Sequence, residues 1–109
     1  MAIPHALPGE IVDISPFGGR LTTQRTTALF KSKDLEVMRL VLPAGKSLPP
    51  HKVAGEITIQ CIEGAMVLRA GNDEHTLHPG QLTYVGGGVL HSVHAIEDMS
   101  ALVTVALVK

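Results

Sequence analysis

At 109 residues the chain is long enough for one domain, burying roughly two-thirds of the surface its unfolded form exposes. A hydrophobic share of 45% against 17% charged residues supports a packed core without metals or disulfides. The net charge of −1, the lack of any basic block, and an aromatic complement of only Phe17, Phe30 and Tyr84 argue against nucleic-acid and anionic-membrane partners.

Residues 1–20 carry prolines and glycines among scattered apolar side chains and are predicted to form an irregular N-terminal arm. One short strand is expected in it at residues 11–14, with Ile11 and Ile14 free to contact either the domain or a second copy of it. The opening MAIPHALPGE lacks the basic start and apolar run of a signal peptide. The longest apolar run, residues 101–108, is too short for a bilayer and is interrupted by Thr104. A cytoplasmic protein is expected.

Residues 21–109 are predicted to form a single domain, in which turn signals every eight to twelve residues or so mark an all-β chain. Strands are expected at 26–30 and 35–42; in the second, Met38, Leu40 and Leu42 form an apolar face opposite Val37, Arg39 and Val41. Pro43-Ala44-Gly45 ends that strand. Pro49-Pro50 cannot donate to a ladder and is expected to break strand structure just before His51. The β-branched run at 57–62 reads as the next strand, with Cys61 a buried, inert thiol and Glu63 a turn residue before Gly64. A lone cysteine cannot form an intrachain disulfide and fits a reducing compartment.

A hairpin follows, residues 65–70 and 74–77 about the turn Gly71-Asn72-Asp73. After Pro79-Gly80 comes a strand at 81–85, with Leu82 and Tyr84 on one face. The Gly86-Gly87-Gly88 corner allows a sharp bend into a strand starting near His91, and residues 101–107 close the domain. No long helix is predicted. The sum is a small antiparallel double-sheet β-barrel, whose closure is expected to remove exposed sheet edges.

Two stretches share one grammar: GKSLPPHKVAGEITIQCIEG from Gly45 to Gly64, and GQLTYVGGGVLHSVHA from Gly80 to Ala95. Together they resemble the two motifs of the cupin superfamily, in particular its small single-domain RmlC-like members. The first family motif is a glycine, five residues, His-x-His, three or four residues, a glutamate, six residues and a glycine. Gly45, His51 and Gly64 match it. The second is a glycine, five residues, Pro-x-Gly, two residues, a histidine, three residues and an asparagine. Gly80, Gly88 and His91 match, with Gly86 for the proline and Ala95 for the asparagine.

The resemblance implies a jelly-roll barrel, commonly a homodimer, with a metal held inside by three histidines and a glutamate. Position by position, His51 and His91 stand at two of these ligand places, while Val53 and Ile57 occupy the second histidine's and the glutamate's. A divalent Fe, Mn, Ni, Cu or Zn ion would then have two neutral ligands and no counter-charge. Glu56, Gln60 and His94 lie on the wrong strand faces and could join only through a local register break.

Two functions are therefore expected. In the first, a small organic ligand sits in a cavity lined by Val53, Ile57, Ile59, Leu82, Tyr84 and Val93, with His51 and His91 as polar anchors. In the second, the same histidines hold the metal of an oxygenase- or isomerase-type enzyme. No catalytic residue is assigned. His5, His75, His78 and Lys52 read as solvated.

Overall fold

A computed structural model describes residues 5–108; the start of the arm, residues 1–4, and residue 109 lie outside it. Nine strands form among the described residues. They are β1 (Thr27–Lys31), β2 (Leu35–Leu42), β3 (Ser47–His51), β4 (Ile57–Glu63), β5 (Met66–Ala70), β6 (Asp73–Leu77), β7 (Leu82–Val85), β8 (His91–Ala95) and β9 (Met99–Ala106). Two antiparallel sheets result, a larger one in the order β1-β2-β9-β4-β7 and a smaller one in the order β3-β8-β5-β6. This is the expected all-β double-sheet barrel, and a single 3₁₀ turn, Gly18–Thr23, is the helical content of the described residues. No helix among them is long and apolar enough to cross a membrane.

Strand alternation explains how the sheets face each other. Met38, Leu40 and Leu42 of β2 pair with Val103, Ala101 and Met99 of β9 and turn inward with them. Ile57, Ile59 and Cys61 of β4 flank β9 on its other side, opposite Val105, Val103 and Ala101. Met66, Leu68, Val93 and Ala95 of the smaller sheet close the core from the opposite side. Cys61 is buried as expected; burial also pushes its thiol pKa up.

Three expectations are corrected. Residues 11–14 form no strand, and Ile11 is 97% exposed; the arm meets the β1 edge earlier, where the Ala6 amide donates to the Leu29 carbonyl at 2.9 Å. Pro49 and Pro50 do not end strand structure: they lie within β3, an edge strand, where a missing N–H can face away from the only partner. Nor does closure remove the edges, since β1, β7, β3 and β6 each border only one strand.

Glu63 is more than a turn residue. Cys61 pairs with Ala101 but Glu63 pairs with Ser100, so two residues of β4 advance against one of β9. This bulge rotates Glu63 from the core side to the outer face of the larger sheet. There its carboxylate accepts hydrogen bonds from the N–H groups of Phe17 and Gly18 at 2.9 and 3.0 Å, and from Ser100 Oγ. Arg39, only 3% exposed, donates to Glu63 at 3.2 Å, to Ser100 Oγ at 3.0 Å and to the Ser15 carbonyl at 2.9 Å. Its guanidinium also lies 4.0 Å from the centre of the Phe17 ring. The arm is thus strapped across its own sheet by one buried ion pair. Burial works to raise the Glu63 pKa, but the hydrogen bonds from Ser100, Phe17, Gly18 and Arg39 outweigh it and hold the carboxyl below its ordinary range.

Candidate functional site

His51 and His91 come from different motifs and meet as direct cross-strand partners, at the end of β3 and the start of β8. A register shift makes this possible. Leu48 pairs with Val93 and His51 with His91, so three steps along β3 match two along β8. In a regular strand His51 would point away from the side that Leu48 faces. The irregularity at Pro49-Pro50 instead turns it to the same side, inward. The proline pair therefore positions the histidine by breaking the ladder's phase within a strand.

The two imidazole centres are 4.3 Å apart, with the rings tilted by 54°. His91 is 4% exposed, whereas His51 is open to solvent at the mouth. Each ring is held by its own backbone: His91 Nδ1 lies 3.0 Å from the Val89 carbonyl and His51 Nδ1 lies 3.3 Å from the Pro49 carbonyl. A carbonyl only accepts, so in the neutral rings Nδ1 carries the proton and Nε2 keeps the lone pair. The pair thus offers two acceptor nitrogens.

Both rings line an interior cavity of about 140 Å³ between the sheets. Val53, Ile57, Ile59 and Val93 also line it, as the sequence suggests. Leu82 and Tyr84 do not; they are 61% and 69% exposed. Their orientation follows from pairing: Leu82 lies opposite Gln60 and Tyr84 opposite Thr58, both outward-facing, while Val85 opposite Ile57 is the buried member of β7. In a four-residue strand the neighbour's phase, and not the strand's own apolar residues, chooses the inner face.

None of the substitute ligands reaches the cavity. β4 is regular from Ile57 to Cys61, so Glu56 and Gln60 keep their outward phase, and the Glu56 side chain is exposed. His94 is on the outer face of the smaller sheet, with Nδ1 2.6 Å from Ser47 Oγ. Lys52 is exposed and does not line the cavity, and His5, His75 and His78 are exposed as expected. Among the described residues no group of three or more His, Cys, Asp or Glu side chains is placed to hold a metal ion. The residues present therefore do not fit a tightly bound metal.

One polar lining residue escapes the sequence reading. Glu36, half-buried, lines the cavity beside Met38 and Leu40. It has the same parity as Met38, Leu40 and Leu42 along β2, and that parity was the available signal. Larger grooves exist outside. One of about 370 Å³ lies over Ser47, Arg69, Ser92 and His94, and another of about 390 Å³ over Leu35, Thr58, Tyr84 and Thr104. Neither contains the histidine pair.

A family model described as "Cupin domain" matches residues 38–107. A conserved protein of unknown function from Streptococcus pyogenes is 18% identical with a TM-score of 0.77, the alignment covering 100% of this chain and 96% of that one. An RmlC-like cupin family protein with a double-stranded β-helix fold, from Methanocaldococcus jannaschii, is 23% identical with a TM-score of 0.74, covering 90% and 93%. A mutant of salicylate 1,2-dioxygenase from Pseudoaminobacter salicylatoxidans is 21% identical with a TM-score of 0.64, covering 66% of this chain and 21% of that one. No curated protein matches the sequence.

Proposed function

The chain belongs to the cupin family, and on that footing we propose that it binds a small organic molecule in the barrel cavity, with His51 and His91 as polar anchors. The supporting observation is the histidine pair on the wall of an otherwise largely apolar space. Each ring turns an Nε2 acceptor to the ligand, and a hydrogen bond donated to one contributes about 1 kcal/mol. Size narrows the choice, because a cavity of roughly 150 Å³ holds a molecule such as benzene. At about 140 Å³ this one suits a ligand of that scale.

A second reading, a metal-dependent enzyme of oxygenase or isomerase type, has the two free Nε2 atoms in its favour and a dioxygenase among the similar folds. Against it, the residues at the remaining ligand places are Val53 and Ile57. Metal analysis decides between them. After incubation with Fe, Mn, Ni, Cu or Zn and removal of excess ion, the expected metal content is well below one per chain. Stoichiometric metal, lost in the His51→Ala, His91→Ala double variant, would overturn the binding reading in favour of the enzyme.

The proposal includes a homodimer in the cytoplasm. Leu82 and Tyr84 stand exposed on the outer face of the larger sheet at the β7 edge, next to the groove over Leu35 and Thr58. Light scattering on the eluting protein is expected to give twice the chain mass, and Tyr84→Lys to shift it toward the monomer. A monomer at all concentrations would refute this.

A further inference from the structure

The polar part of the cavity wall consists of three side chains: Glu36 from the larger sheet, and His51 and His91 from the smaller. The rest is Met, Leu, Val and Ile. With both Nδ1 atoms committed to main-chain carbonyls, the imidazoles present acceptor nitrogens. Glu36 presents carboxylate oxygens, which among the described residues accept no hydrogen bond and make no ion pair, even with Lys31, its cross-strand neighbour. No hydroxyl, amide, lysine or arginine side chain lines the space. With the imidazoles neutral, every polar group the lining offers is therefore an acceptor, and one of the three is a carboxylate.

Placement adds a direction. Along β2, Glu36 is half-buried toward the open end, while Leu40 is fully buried. His51, also at the mouth, is open to solvent on the other sheet. A ligand is thus offered an acceptor-rich, anionic rim and an apolar floor of Leu40, Ile59, Val93 and Val103.

We propose that the cavity selects a small primary amine, its ammonium at the mouth on the Glu36 carboxylate, the nitrogens of His51 and His91 serving as acceptors on the facing wall, and its apolar body of about benzene size on the floor. This rests on the cavity reading above and names its ligand class. An ammonium brings three donors and no acceptor, and its bonds to a carboxylate are charge-assisted. An alcohol brings one donor. A carboxylate brings none and meets Glu36 with like charge.

Isosteres test this on the intact protein at one neutral pH. Cyclohexylamine, cyclohexanol and cyclohexanecarboxylate are titrated while amide and methyl resonances of Ile59, Val93 and Val103 are followed. The amine is expected to bind roughly tenfold more tightly than the alcohol, the scale of one hydrogen bond to a charged group. Glu36→Gln, checked for an unchanged spectrum and melting temperature, should remove that advantage and leave the alcohol as it was. An amine no better than the alcohol, a carboxylate that binds best, or an amine advantage that survives Glu36→Gln would overturn the amine assignment while leaving a ligand cavity. If none of the three moves the cavity resonances, the cavity reading itself fails, and this inference with it.

Discussion

Gly64→Ala is expected to destabilise the protein by on the order of 4 kcal/mol or more, a large part of the roughly 5–15 kcal/mol that holds a typical domain together. Two costs combine. Gly64 has φ of +77°, where an L side chain loses roughly 1–2 kcal/mol. A Cβ there would also lie 2.2 Å from the Asp98 carbonyl oxygen and 2.8 Å from the Cα and Cβ of Met99. These are backbone and core atoms, since Met99 is fully buried, so nothing flexible can give way. Gly80→Ala is the control. Its φ of +87° carries the first cost, but nothing lies within 4 Å of the added carbon. Denaturant unfolding should show Gly80→Ala costing roughly 1–2 kcal/mol and Gly64→Ala far more. Equal losses would mean that the close approach to Met99 does not matter.

Removing the neighbouring carboxylate should be nearly as damaging. Glu63→Ala is expected to cost about 3 kcal/mol, because it leaves Arg39 buried without its counter-ion. Its signature is in the acid limb. The folded-state pKa of Glu63 is held below the unfolded value, so its contribution is complete above roughly pH 4.3 and is lost as pH falls through the lower, folded value. Stability of the natural sequence should therefore fall steeply with acidification below that point. Glu63→Gln should start lower and fall less. Adding Arg39→Met to Glu63→Ala should restore stability relative to Glu63→Ala alone, since no buried charge is then left unpaired. A Glu63→Gln acid limb as steep as that of the natural chain would remove Glu63 from this role.

Both residues show where local reading of a sequence succeeds and where it stops. Alternation in β2 was legible because Met38, Leu40 and Leu42 share one parity while Arg39 falls on the other, and its bounds came out as expected. Gly64 was legible as a family glycine, and its tight turn against Met99 supplies the physical reason. Glu63 was not legible, because its orientation depends on a bulge opposite Ser100, and nothing in the spacing of β4 announces that bulge. The same limit appears at the site. His51 and His91 could be paired on motif grounds, but what turns His51 inward is a phase shift at Pro49-Pro50, which alternation alone reads as an interruption. Leu82 and Tyr84 were misplaced because β7 is too short for its own pattern to outvote the register with β4. Glu36 followed the readable parity of its strand and was passed over as the one charged member of an apolar face.

The strap over the larger sheet grips the arm largely by its main chain. The hydrogen bonds run from the amides of residues 17 and 18 to Glu63 and from Arg39 to the carbonyl of Ser15. Apart from the Phe17 ring over Arg39, then, these contacts do not discriminate between amino acids. Substitutions can drift through residues 15–17 over generations with the anchor intact, whereas Gly18, with φ of +61°, resists any side chain, and a proline at 17 or 18 would delete the amide that Glu63 holds.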